Sequence, residues 1–171
     1  MIIHPGFQCK VIVFRMARMR FAFAILLSFM LAAPAQALET IYTSLTECQI
    51  KAYQEEGAYA ELACPAPDGW GVEIIEFDSR SYLILEQAGR SHSLQQQMID
   101  EFSFGSFPAV GKLAEWRMGW HGPEALIVRM HYMKAEKPKS VLFVFDLRGQ
   151  EPRLKGTTTS NVKARQIADS P

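Results

Sequence analysis

Apolar and polar residues alternate over short stretches of this chain, and this period of two is typical of β-strands with one buried face. In residues 112–118, for example, Ala114, Trp116 and Met118 alternate with charged residues. A continuous apolar run at 141–145 predicts a strand that is buried on both faces. The stretches with one of these patterns are Val72–Phe77, Tyr82–Gln87, Lys112–Met118, Leu126–Tyr132 and Val141–Phe145.

Helical spacing occurs at two places. Ser93 and Gln96 resemble a capping box, and Leu94, Met98 and Phe102 keep helical spacing, so a short helix is predicted there. A second pattern, over Val162–Ala168, indicates a terminal helix within a polar and possibly loose tail that begins at about residue 148.

Two further strands are predicted around the turn Glu55-Glu56-Gly57, where Gly57 supplies the left-handed conformation that closes a three-residue hairpin loop. Opposite residues then have numbers that sum to 112. The resulting pairs are Gln54–Ala58, Tyr53–Tyr59, Ala52–Ala60, Lys51–Glu61, Ile50–Leu62 and Cys48–Cys64. About seven strands with one or two short helices predict a mainly β fold, a small antiparallel barrel or sandwich.

The hairpin register places Cys48 opposite Cys64, so we expect these two cysteines to form a disulfide. Closing a loop of this length should stabilise the fold by about 3 kcal/mol on the chain-entropy model. The chain has no Cys-x-x-Cys motif, so a redox-active role is disfavoured.

The N-terminal region is typical of a cleaved export signal. Basic residues end at Arg20, the apolar run Phe21–Ala33 follows, and Ala35-Gln36-Ala37 is a small-x-small site, so cleavage after Ala37 is expected. The run of 13 residues is shorter than the roughly 20 that cross a bilayer, so no stable membrane anchor is expected after cleavage. Because an apolar stretch precedes the basic residues, Met16 or Met19 is the alternative start. A periplasmic or secreted protein is predicted.

Cleavage would leave residues 38–171, enough for a single domain. This part has 14 basic and 18 acidic residues, hence a net charge of −4. The acidic residues concentrate before residue 125 and the basic ones after it. The opposite charges of the two halves can neutralise each other within one fold. Nucleic acid is a poor candidate partner for an acidic exported domain.

Several scattered motifs resemble an uncharacterised family of short exported bacterial proteins. They are Tyr42-Thr43-x-Leu45, Cys48, Glu55-Glu56-Gly57, Cys64-Pro65, Glu115-Trp116-Arg117 and Ala164-Arg165-Gln166-Ile167-Ala168-Asp169. The resemblance implies export and a β-rich domain, and it implies no known activity.

No motif demands a particular chemistry. His92, His121 and His131 lack ligand-like spacing with Cys, Asp or Glu, so no metal site is predicted. The chain has no Gly-x-Ser-x-Gly and no phosphate-binding loop, so neither catalytic nor cofactor-binding residues are assigned.

Two tryptophans are the candidate recognition surface. Trp70 lies between glycines, and Trp120 lies in Gly119-Trp120-His121-Gly122-Pro123, the expected tip of a hairpin. Exposed aromatic rings at loop tips offer rigid contact area for recognition, although such rings also fold back onto a core. The leading hypothesis is a non-catalytic binding or envelope-accessory protein that contacts a protein or an envelope polymer. The alternatives are a small envelope hydrolase and a structural envelope component.

Overall fold

The computed structural model describes residues 38–67, 69–101 and 109–171, and this part of the chain forms ten strands and two short helices. The predicted export signal at residues 1–37 and the predicted helical position Phe102 lie outside the described residues. The strands are β1 Glu39–Ser44, β2 Gln49–Gln54, β3 Tyr59–Cys64, β4 Trp70–Phe77, β5 Arg80–Gln87, β6 Arg90–Ser93, β7 Ala109–Gly119, β8 Gly122–Lys134, β9 Lys137–Asp146 and β10 Arg153–Thr158. The helices are α1 Gln95–Glu101 and α2 Asn161–Asp169.

The ten strands form two antiparallel sheets. The first sheet has the order β1-β7-β8-β9-β10 and the second has the order β2-β3-β4-β5-β6. Their facing surfaces share one hydrophobic core, in which Trp116, Phe143 and Phe145 of the first sheet meet Leu83 and Leu85 of the second. The prediction of a mainly β fold is confirmed, in the form of a sandwich.

Strand β9 has the predicted burial on both faces. Phe143 and Phe145 belong to the core between the sheets, whereas Leu142 and Val144 pack against helix α2 on the other side. All four side chains are buried. The outer face of the first sheet is therefore partly covered by the C-terminal helix.

The hairpin β2–β3 follows the predicted register only at its disulfide end. Ile50 pairs with Leu62, but a β-bulge at Lys51 shifts the pairing, so that Tyr53 lies opposite Ala60. Four residues, 55–58, separate the strands instead of three. The disulfide Cys48–Cys64 is present. From the bulge, the Lys51 ammonium reaches Glu61 at 3.2 Å and also contacts Glu73, so the predicted Lys51–Glu61 pair forms despite the shift.

The segment after residue 147 differs most from the expectation. It forms strand β10 on the edge of the first sheet and helix α2 against the outer face of that sheet, rather than a loose tail. Ser160 caps α2 by accepting a hydrogen bond from the backbone N–H of Lys163. Ala164 and Ala168 are fully buried against the sheet. Their small size explains why this helix carries so weak an apolar pattern.

Helix α1 begins near its predicted start. The Ser93 hydroxyl accepts a hydrogen bond from the backbone N–H of Gln95 at 3.3 Å, and Met98 is buried in the core between the sheets. Among the described residues, none of the helices has the length and apolar character needed to span a membrane.

Candidate functional site

A concave surface lies on the outer face of the first sheet, beside helix α2. We call it the outer cleft, and its volume is about 470 Å³. Small-molecule sites commonly have volumes of about 300–1,000 Å³. The outer cleft is lined by Tyr42, Lys112, Leu113, Glu115, Ile127, Arg129, His131, Leu142, Asn161 and Arg165.

Strand alternation brings these side chains to one surface. Glu115 pairs with Ile127 across β7 and β8, and Arg129 pairs with Leu142 across β8 and β9. Each of these positions is adjacent in sequence to a residue that faces the core, so its own side chain points away from the core. The same alternation that forms the sandwich core therefore also forms the floor of the outer cleft.

The charge of Arg165 is balanced within the protein. Its guanidinium donates hydrogen bonds to Glu115 Oε1 at 2.6 Å and to Tyr42 Oη at 2.8 Å. The hydrogen bond and the negative charge of Glu115 raise the pKa of Arg165. This pair fixes α2 to β7 at one side of the outer cleft.

Arg129 and Lys112 differ from Arg165 in this respect. Arg129 donates hydrogen bonds to Ser140 Oγ at 3.1 Å and to Asn161 Oδ1 at 2.8 Å, and both acceptors are neutral. Neither Arg129 nor Lys112 forms an ion pair with a described carboxylate. Among the described residues that line the cleft, Glu115 is the only carboxylate, and it is bound to Arg165. The outer cleft therefore carries an excess of positive charge.

Three segments that are distant in sequence meet at this place. Tyr42 of β1 and Glu115 of β7 both contact Arg165 of helix α2. The indole N–H of Trp116 donates to Thr43 Oγ1 at 2.9 Å on the core side of the same strands. No periodicity or motif in these distant segments predicts that they surround one cleft.

The two candidate tryptophans lie in different environments. Trp70 is the first residue of β4 rather than a loop residue, and its ring lies 6.2 Å from that of the buried Trp116. Trp120 lies in the two-residue turn between β7 and β8 and is 88% exposed. Trp70 is thus partly packed against the core, whereas Trp120 is exposed.

The histidines are dispersed. His92 lies on the edge strand β6, and His121 lies beside Trp120 in an exposed turn. Over residues 38–67, 69–101 and 109–171, no group of three or more His, Cys, Asp or Glu side chains could hold a metal ion.

His131 lies in the outer cleft and is paired in register with Ser140 of β9. A nucleophile–base pair requires a hydrogen bond between the two side chains. The Ser140 hydroxyl instead accepts from Arg129, and no hydrogen bond links it to His131 in the described structure.

No known protein family, curated protein or solved structure matches the chain.

Proposed function

We propose that this protein is an exported, non-catalytic binding protein whose outer cleft holds the anionic group of a ligand. The observation that carries the proposal is the position of Arg129 and Lys112 in a cleft whose only carboxylate is already bound to Arg165. Arginine and lysine side chains whose charge is not balanced by a carboxylate attract carboxylate or phosphate oxygens. An arginine fork can bind these oxygens through two parallel hydrogen bonds.

The geometry of Arg129 supports this role. Its two hydrogen bonds, to Ser140 and Asn161, hold the guanidinium at the cleft while leaving its charge uncompensated. A side chain that is already positioned loses less conformational entropy when a ligand binds. Ser140 and Asn161 therefore act as positioning residues for Arg129 in this proposal.

Export is part of the proposal. The segment before Leu38 has the composition of a signal peptide, and a disulfide such as Cys48–Cys64 persists mainly in oxidising compartments. Mass analysis of the exported protein should show Leu38 as its first residue. An uncleaved product that remains in the cytoplasm would contradict this part.

The exposed tip at Trp120 supports a second contact, with a protein or an envelope polymer. Trp120 lies five positions after Glu115, which corresponds to about 17 Å along an extended strand. The tip and the outer cleft are thus distinct surfaces, and a Trp120→Ala variant should leave anion binding in the cleft unchanged.

Anion binding can be tested by titrating the exported protein with sodium phosphate and sodium acetate at constant ionic strength, followed by NMR chemical-shift changes. We expect saturable shifts at outer-cleft residues that are lost in Arg129→Gln/Lys112→Gln. The control Arg90→Gln/Arg153→Gln removes the same charge from exposed positions outside the cleft lining and should bind like the wild type. Equal loss in both double variants, or no saturable binding of either anion, would refute the proposal.

A further inference from the structure

The outer cleft has an apolar floor as well as cationic walls. Ile127 and Leu142 form this floor, and Leu113 contributes a side chain that is 54% exposed. The aromatic ring of Tyr42 is likewise half exposed at the same surface. Because Ile127 and Leu142 are packed under helix α2, Leu113 and Tyr42 are the apolar groups that a ligand in the cleft can contact most extensively.

The cationic and apolar groups are close neighbours. Leu142 is the cross-strand partner of Arg129, and Ile127 lies two residues from Arg129 on the same face of β8. Neighbouring strands lie about 4.8 Å apart, and residues i and i+2 lie about 7 Å apart along a strand. One small molecule can therefore contact the Arg129 guanidinium and the aliphatic floor at the same time.

From this juxtaposition we propose that the outer cleft binds a small amphiphilic anion, a carboxylate or phosphate group joined to a short aliphatic body. The anionic group contacts Arg129 and Lys112, and the aliphatic body covers Leu113 and the ring of Tyr42, above the buried Ile127 and Leu142. This inference rests on the proposed function, since it specifies the ligand class of the same cleft. The volume of about 470 Å³ is in the range of sites for such small molecules.

A series of carboxylates of increasing chain length separates the contribution of the anionic group from that of the aliphatic body. The exported protein is titrated by calorimetry with acetate, butyrate, hexanoate and octanoate, and with octyl phosphate and the neutral 1-octanol. Burial of methylene groups should raise the affinity roughly two- to fourfold for each added methylene. Because 1-octanol lacks the charge, it should bind at least tenfold more weakly than octanoate. The ratio of octyl phosphate to octanoate affinity identifies the preferred anionic group.

Two matched variants test whether the aliphatic chain binds in the outer cleft. Leu113→Ser should reduce the gain in affinity per methylene, whereas Phe77→Ser should not, because Phe77 is equally exposed at 53% but lies in the second sheet, outside the cleft lining. Lys112→Gln should weaken the binding of every anion without changing the gain in affinity for each added methylene. Both leucine and phenylalanine variants alter exposed side chains, so neither should prevent folding.

The outcomes distinguish the two proposals. If the anions bind with the same affinity at every chain length, the amphiphilic ligand is refuted and the anion-binding function stands. If Phe77→Ser lowers the gain per methylene as much as Leu113→Ser, the aliphatic chain binds elsewhere and the inference is again refuted. If neither carboxylates nor phosphates bind, both proposals fail.

Discussion

Arg117 in β7 binds Asp169 at the end of helix α2 through two parallel hydrogen bonds, Nε to Oδ1 at 2.8 Å and Nη2 to Oδ2 at 2.7 Å. The Arg117 side chain is almost fully buried, and it also donates a hydrogen bond to Thr40 in β1. Strands from the beginning and the middle of the fold are thereby joined to its last helix. Paired hydrogen bonds between arginine and carboxylate are among the strongest in proteins.

We expect Asp169→Asn to destabilise the fold by about 1–3 kcal/mol, because it removes the carboxylate that accepts two hydrogen bonds from a buried guanidinium. Thermal unfolding measures this loss. Glu151→Gln is the matched control, since Glu151 is exposed and forms no ion pair in the described residues, and it should melt like the wild type. A wild-type melting temperature for Asp169→Asn would show that the pair contributes nothing.

The disulfide Cys48–Cys64 closes the β2–β3 hairpin at the end far from its turn. Replacing both cysteines with alanine should destabilise the protein by about 3 kcal/mol, because the unfolded chain regains the entropy of an open loop. For a domain of this size, that loss corresponds to a melting temperature lower by roughly 10 °C. Reduction of the wild type should reproduce the shift, and a reductant should not alter the double variant. Coincident melting curves for wild type and variant would exclude a stabilising disulfide.

The strands of the core could be predicted because their apolar residues either alternate with polar ones, as in β7, or form a continuous run, as in β9. In β7, Ala114 and Trp116 are buried against the second sheet, and Glu115 between them faces outward. The bulge at Lys51 could not be predicted in this way, because the bulged residue also contacts Glu73 of β4, which lies outside the hairpin. A local register argument has no access to such a contact.

The glycines on either side of Trp70 suggested a loop, but Trp70 begins strand β4. Gly71 is a strand residue paired with Glu86, and a Cβ at this position would lie 3.1 Å from the Glu86 Cβ. Glycine is therefore used here for cross-strand space rather than for a loop. The outer cleft was equally inaccessible from the sequence, because Arg129 and Arg165 are ordinary surface residues until the strand register and the helix bring them together.

The two tryptophans should respond differently to truncation. Trp70→Ala removes a ring that packs against Trp116 in the core, so we expect a loss of about 2–4 kcal/mol. Trp120→Ala alters an exposed turn and should change stability by less than about 0.5 kcal/mol. Chemical unfolding of both variants tests this difference. A large loss in Trp120→Ala would mean that its ring is buried and cannot serve as a contact surface.

The last prediction concerns the stability of the fold at low pH. Arg148 donates two side-chain hydrogen bonds to Asp146, each at 2.9 Å, and a backbone N–H bond to the same carboxylate at 3.0 Å. The side-chain hydrogen bonds from Arg148 are the main cause of a lowered pKa at Asp146. The charged carboxylate is therefore favoured in the folded state more than in the unfolded chain.

A lowered carboxyl pKa stabilises the fold fully above the ordinary Asp pKa of about 4, and this stability is lost as the pH falls through the lower pKa of the folded state. The difference in unfolding free energy between wild type and Asp146→Asn should hence be largest at neutral pH and should shrink below about pH 4. Urea unfolding from pH 7 to pH 2 measures it. Because the Arg148 side chain is the largest cause, Arg148→Gln should show most of the pH dependence of Asp146→Asn, and the remainder comes from the backbone N–H of residue 148, which the substitution retains. A difference between wild type and Asp146→Asn that stays constant down to pH 2 would show that the Arg148–Asp146 pair does not lower this pKa.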